Sequence, residues 1–207
     1  EALQEGEEKK DGFQEESVWP KEGEEAAQIT LAQLQDYDFL MKHFYSVHAS
    51  TTAGRDLMKA DMLLGTGMKL EQNPQVPQIL IYHTHSQETY ADYGPENPEA
   101  NIVSCGEYLA ELLRDRGWNV IHDTGTYDIQ GGKLDRNRAY NYALDGITGI
   151  LQENPEIQVI LDLHRDGVKE GTRLISQVNG KETAKIMFFH GMSRTPEGEI
   201  AYIPNPY

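Results

Sequence analysis

The chain has one cysteine, Cys105, in 207 residues, which excludes an intrachain disulfide framework and any zinc site built from several thiolates. The compartment stays open, because exported bacterial proteins also do without disulfides. No run of about 18 apolar residues occurs, so no segment is built to span a membrane as a helix. Positive charge is scarce: 18 Lys and Arg stand against 34 Asp and Glu, giving a formal net charge of -16 and a pI of about 4.7. A nucleic-acid footprint and an anionic membrane surface are thereby excluded as partners. There is no internal repeat and no initiating methionine. The chain opens on Glu1, closes on Pro-Asn-Pro-Tyr, and reads as a piece of a longer protein from which an upstream signal or anchor is expected to be missing.

What is present divides into three stretches. Residues 1–28 carry ten acidic residues against three lysines and few apolar ones, so they cannot bury enough surface to offset the entropy of ordering and are expected to form a disordered acidic linker. Residues 29–76 form a lead-in expected to pack on the domain, with a short helix near Leu31 and Leu34. A second helical fragment is expected from Arg55 to Leu64, with Leu57, Ala60, Met62 and Leu63 as candidate core residues. Pro74 and Pro77 close it.

Residues 77–207 are the candidate catalytic domain. Ile79 to Tyr82 predict a strand. Asn101 is placed to cap a helix whose apolar face is Ile102, Cys105, Leu109, Leu112 and Leu113, and Gly117 to terminate it. Trp118 to His122 predict a second strand, and Tyr140, Ala143, Leu144, Ile147, Ile150 and Leu151 a second helix. Ile157 to Leu163, rich in Ile, Val and Leu, predict a third strand buried on both faces. Strand, helix, strand, helix, strand argues for an α/β fold with a mainly parallel sheet flanked by helices and right-handed crossovers. Arg173 to Val178 and Ala184 to Phe189, around Asn179-Gly180, predict a late β-hairpin.

The chemistry sits at strand ends. The first strand breaks into His83, His85 and Glu88, and the third ends on His164; ligands in open α/β sheets bind beyond such carboxyl ends. Two histidines and a carboxylate are a hydrolytic zinc set, with one position left for water whose pKa the metal lowers to about 7. The residues alone leave two readings open, a metal site or strand-end histidines satisfied by backbone. They also leave open whether His83 or His85 is the ligand, since both share one strand face.

The stretch Pro77 to Tyr90 with its His-Thr-His-Ser-Gln-Glu core, Val-Ile-His-Asp-Thr at 120–124 and Asp-Leu-His-Arg-Asp-Gly at 162–167 resembles the stage II sporulation protein P family of peptidoglycan hydrolases. The resemblance runs from about Phe39 to the end. That family is similar in fold to zinc-dependent N-acetylmuramoyl-L-alanine amidases. The likeness implies Zn2+ held by His85, Glu88 and His164, with Glu99 as the alternative carboxylate. It implies supporting or substrate-contacting roles for His83, His122, Arg165 and Asp166; for His122 a structural hydrogen bond, and for Arg165 and Asp166 a local ion pair, are the plainer readings.

Further expectations follow from the likeness. They are amide hydrolysis in peptidoglycan during engulfment, an added endopeptidase activity, a partner resembling the glycan hydrolase stage II sporulation protein D, and an extracytoplasmic location tethered to the membrane on the mother-cell side of the septum. The general-base glutamate of related amidases is expected beyond residue 207. Two other classes compete: a non-catalytic domain that binds cell wall or a partner through the same cleft, and a metal phosphoesterase, which commonly requires two metals and more carboxylates than this chain assembles.

Overall fold

The structure is a computed structural model that describes residues 29–94, 96–192 and 194–199. The acidic linker expected at 1–28 lies outside them, as do the residues from 200 on of the loop-like tail expected over 195–207. The chain forms two compact units, one of residues 68–172 and the other of the flanking segments.

The first unit is built on a three-stranded parallel sheet. Strand β1 (Ile79–Tyr82) lies in the middle, with β2 (Val120–His122) on one side and β5 (Val159–Asp162) on the other. The register pairs Ile79 with Val120 and Val159, and Tyr82 with Asp162. Beyond the last pairs, the Asp123 amide donates to the Ile81 carbonyl and the Leu163 amide to that of Tyr82. The ends of β1, β2 and β5 are therefore held level.

Alternation along the strands sends Ile79, Ile81, Val120, Val159 and Leu161 to one face, where they pack with Ala110, Leu109, Leu113 and Trp118. Each isoleucine fully removed from water there contributes about 1.5–3 kcal/mol. Leu80, on the opposite face, is also fully buried.

Helix α4 (Ile102–Arg114) begins at Asn101, whose side chain accepts from the Ser104 amide, and Gly117 beyond its end has φ of 87°. Its buried stripe is Ile102, Gly106 and Ala110, and Cys105, expected in the core, is exposed. Gly106 and Ala110, small residues one turn apart, let the helix approach the sheet closely, and that contact sets its rotation. Helix α5 (Ala139–Glu153) buries Ala139, Ala143 and Ile147, while Tyr140 and Leu144 are exposed. Between β2 and α5, the glycine-rich loop folds into a small hairpin, β3 (Ile129–Gln130) with β4 (Lys133–Leu134).

Strand β5 corrects an expectation. Among the described residues it is an outer strand with one neighbour, it is only partly covered, and Ile160 is 47% exposed.

In the second unit, α1 (Leu31–Gln35) starts with a Thr30/Gln33 capping box, α2 (Tyr37–Phe44) is capped by Asp36, and α3 spans Ala60–Gly65. Of the core expected near α3, Ala60 is buried and Met62 and Leu63 are exposed. The hairpin pairs β6 (Ile175–Val178) with β7 (Lys181–Ala184) through Asn179 and Gly180, both at positive φ. The two-residue turn fixes Val178 opposite Lys181, so the return strand is Lys181–Ala184 and not Ala184–Phe189. A last small hairpin joins β8 (Arg194–Thr195) to β9 (Gly198–Glu199). Among the described residues no helix is long and apolar enough to cross a membrane.

Candidate functional site

The carboxyl ends of β1 and β5 bring His85, Glu88 and His164 together. The ring centroids of His85 and His164 lie 5.3 Å apart, and His164 Nδ1 is 3.7 Å from Glu88 Oε2. Glu88 is buried, and its Oε2 accepts from the Arg165 amide at 2.6 Å. The turn after β1 is fastened from below by Asp128, a fully buried carboxylate that accepts from the Ser86 hydroxyl at 2.7 Å and the Gln87 amide at 3.2 Å.

The pKa values of the two cleft histidines are shifted in opposite directions. Burial and repulsion from His164 press the His85 pKa down. His85 Nδ1 is buried without a hydrogen-bond partner, which is costly for a polar atom removed from water. His164 Nε2 stands 2.9 Å from Asp162 Oδ1, and that contact raises the His164 pKa. Since a carboxylate only accepts, Nε2 carries the proton, and Nδ1 is the nitrogen turned toward Glu88.

Asp162 also accepts from Thr84, the amide at 2.9 Å on Oδ1 and the hydroxyl at 2.6 Å on Oδ2. Burial alone would raise its pKa; the hydrogen bonds from His164 and Thr84 outweigh that and hold it below the usual carboxylate range. Burial and the same carboxylate push the Tyr82 phenol up to about 12. Tyr140, exposed at the start of α5, sets its ring edge-on to His85 at 5.2 Å and 6.3 Å from His164.

His83 and His122 form a separate buried chain. His83 Nδ1 donates to the Leu163 carbonyl at 2.9 Å, its Nε2 meets His122 Nε2 at 2.9 Å, and His122 Nδ1 meets Glu107 Oε2 at 2.6 Å. The carbonyl takes the Nδ1 proton of His83, so in neutral His83 the Nε2 lone pair accepts from His122 Nε2–H. One further proton then lies between His122 Nδ1 and Glu107. His122 and Arg114 hold the Glu107 pKa below its ordinary value. No hydrogen bond among the described residues joins this chain to His85, Glu88 or the His164 ring; it touches the cleft through the peptide group that precedes His164.

The remaining candidates are placed as follows. Arg165 Nε donates to the Thr89 carbonyl and Nη1 to that of Asp166, and the Asp166 side chain is exposed. Glu99 is exposed in the turn ahead of α4. Asp162, Asp128, Glu107, Gly106 and Tyr140 were not singled out from sequence. For Asp162 a signal existed, since in an extended strand residues two apart share a face and it precedes His164 by two. For the others no local pattern distinguishes them.

As the side chains stand, no group of three or more His, Cys, Asp or Glu among the described residues is arranged to hold a metal ion. The donor chemistry nevertheless fits zinc: an orphaned buried imidazole nitrogen, a second imidazole whose other nitrogen is held by a carboxylate, and a buried glutamate.

A parallel sheet that delivers two histidines and a buried glutamate to the ends of adjacent strands defines an α/β protein with a histidine–carboxylate cleft. The family model described as Stage II sporulation protein P (SpoIIP) matches residues 1–200, and the chain belongs to that family. It is also similar to stage II sporulation protein P of Bacillus subtilis (strain 168), at 27% identity over 126 residues. That match covers 55% of this chain and 30% of the relative. No solved structure matches the chain.

Proposed function

We propose that this chain carries the zinc-binding part of a peptidoglycan hydrolase that cleaves the N-acetylmuramoyl-L-alanine amide during engulfment in sporulation. The observation that carries the reading is the convergence of His85, Glu88 and His164 at the ends of β1 and β5, with His85 Nδ1 buried and unpartnered. Family membership supports sporulation and wall degradation as the setting. The amidase chemistry rests on the likeness in sequence and on the donor set.

His85 Nδ1, His164 Nδ1 and Glu88 would hold the ion. When bound, zinc supplies Lewis acidity that polarises the amide carbonyl and acidifies water to a pKa of about 7. Arg165 orients Glu88 through its backbone amide, and the Tyr140 ring stands next to both histidines. Peptidoglycan is the substrate in this reading, with endopeptidase activity as a second action on crosslinked stems. A glycan hydrolase like stage II sporulation protein D is the partner, the location is extracytoplasmic, and the general base lies C-terminal to this sequence.

Zinc stoichiometry and muropeptide analysis test the proposal together. One zinc per chain is expected, lost in His85→Ala and in His164→Ala, with free stem peptide released by a version extended C-terminally. If neither version releases stem peptide with the partner hydrolase present, and zinc is absent, the cleft belongs to a wall-binding or partner-binding module instead.

A further inference from the structure

The Asp162 carboxylate makes three hydrogen bonds, two from Thr84 at the end of β1 and one from His164 at the end of β5. The two bonds from Thr84 form a strap across strand ends that are already paired through Tyr82 and Asp162. The third bond has no such structural duty. It takes the outer nitrogen of an imidazole whose inner nitrogen faces a buried glutamate and lies beside the ring of His85.

From this placement we infer that Asp162 is a positioning residue for the metal site: it fixes the His164 ring and its tautomer so that Nδ1 is the donor. The inference rests on the zinc reading above. An imidazole that donates its second N–H to a carboxylate is held in one orientation and is a more basic ligand, and removing such a partner typically weakens metal affinity about 10–100-fold. The arrangement assigns the nitrogens: Nε2 of His164 to Asp162, Nδ1 to the ion.

Zinc affinity measured by competition with a chromophoric chelator, in parallel with urea unfolding in EDTA, tests the role on this chain. Asp162→Asn is expected to keep the shape and weaken zinc about 10–100-fold. Thr84→Val removes one strap bond without touching His164, and is expected to lower stability while leaving zinc affinity unchanged. Undiminished affinity in Asp162→Asn overturns the inference. So does an equal loss in Thr84→Val, which would make Asp162 a structural strap alone.

A second measurement does not depend on a variant folding. In the zinc-loaded wild-type chain, nitrogen-resolved NMR of the histidine rings is expected to find the His164 proton on Nε2; a proton on Nδ1 overturns the inference. A wild-type chain that binds no zinc is a separate result, which removes the zinc reading itself and the role of Asp162 with it.

Discussion

Gly106 lies so close to His83 that a β-carbon placed on it would stand 2.5 Å from the histidine Nε2 and 2.8 Å from Nε2 of His122. Helix α4 crosses the sheet over the contact between two buried rings, and only the absence of a side chain allows it. On helix propensity alone, Gly106→Ala would gain roughly 1 kcal/mol. Overpacking against rigid, hydrogen-bonded rings costs about 1–3 kcal/mol. The expected outcome is a net loss of stability, read as a lower urea midpoint at unchanged m. A more stable variant would show that the His83–His122 pair yields to make room.

Two histidines give stability opposite dependences on pH in the metal-free chain. Burial depresses the folded pKa of His83, so as pH falls below about 6.5 the unfolded chain binds a proton that the folded chain refuses, and stability drops. The Asp162 contact raises the folded pKa of His164, so its contribution is full below about 6.5 and fades as pH rises through the raised value. Denaturant midpoints are therefore expected to peak near pH 6.5 and fall on both sides, and His164→Gln should flatten the alkaline limb. A midpoint rising steadily from pH 5 to 8 would contradict this.

Asp128→Ala removes a fully buried carboxylate and leaves the Ser86 hydroxyl and the Gln87 amide without their acceptor. Hydrogen bonds to charged groups contribute about 1.5–3 kcal/mol each, and groups left unsatisfied add to the loss. A destabilisation of at least about 2 kcal/mol is expected. Ser86→Ala, which loses one bond, should cost less. Hydrogen exchange should localise the added opening to residues 83–88.

Zinc should stabilise the chain by mass action, by about 2.7 kcal/mol at a free concentration one hundred times Kd. A melting temperature that rises with zinc and returns with EDTA is the expected result. His85→Ala and His164→Ala should abolish the rise, and Glu99→Ala should leave it intact. Loss of the rise in Glu99→Ala with its retention in Glu88→Ala would transfer the carboxylate role to Glu99.

Much of the frame was legible in the sequence because it rests on local rules. The stretches rich in apolar residues at Ile79–Tyr82 and Ile157–Leu163, the Asn101 cap, Gly117 and the Asn179-Gly180 turn each act within a few residues. What local rules could not supply was depth. Cys105 and Gly106 are neighbours on α4, and which of them turns inward depends on how closely the helix approaches the sheet. Ile157 to Leu163 reads as a fully buried strand, yet among the described residues β5 has a neighbour on one side only, a fact of topology. His83 and His85 share a strand pattern, but the strand ends at Tyr82, and the turn beyond it sends one ring to His122 and the other to His164.

The chain from Glu107 through His122 and His83 to the Leu163 carbonyl starts on a helix and touches the end of every strand in the parallel sheet. It acts as a tie-bar laid across the ladder, just beyond the last backbone rungs. A sheet of three short strands has little resistance to one strand sliding along another. With the bar in place, β2 and β5 are indexed to β1 by imidazole rings that cannot stretch. The floor of the cleft is thus set from behind, and loosening the bar would change the spacing of His85 and His164 without altering either residue.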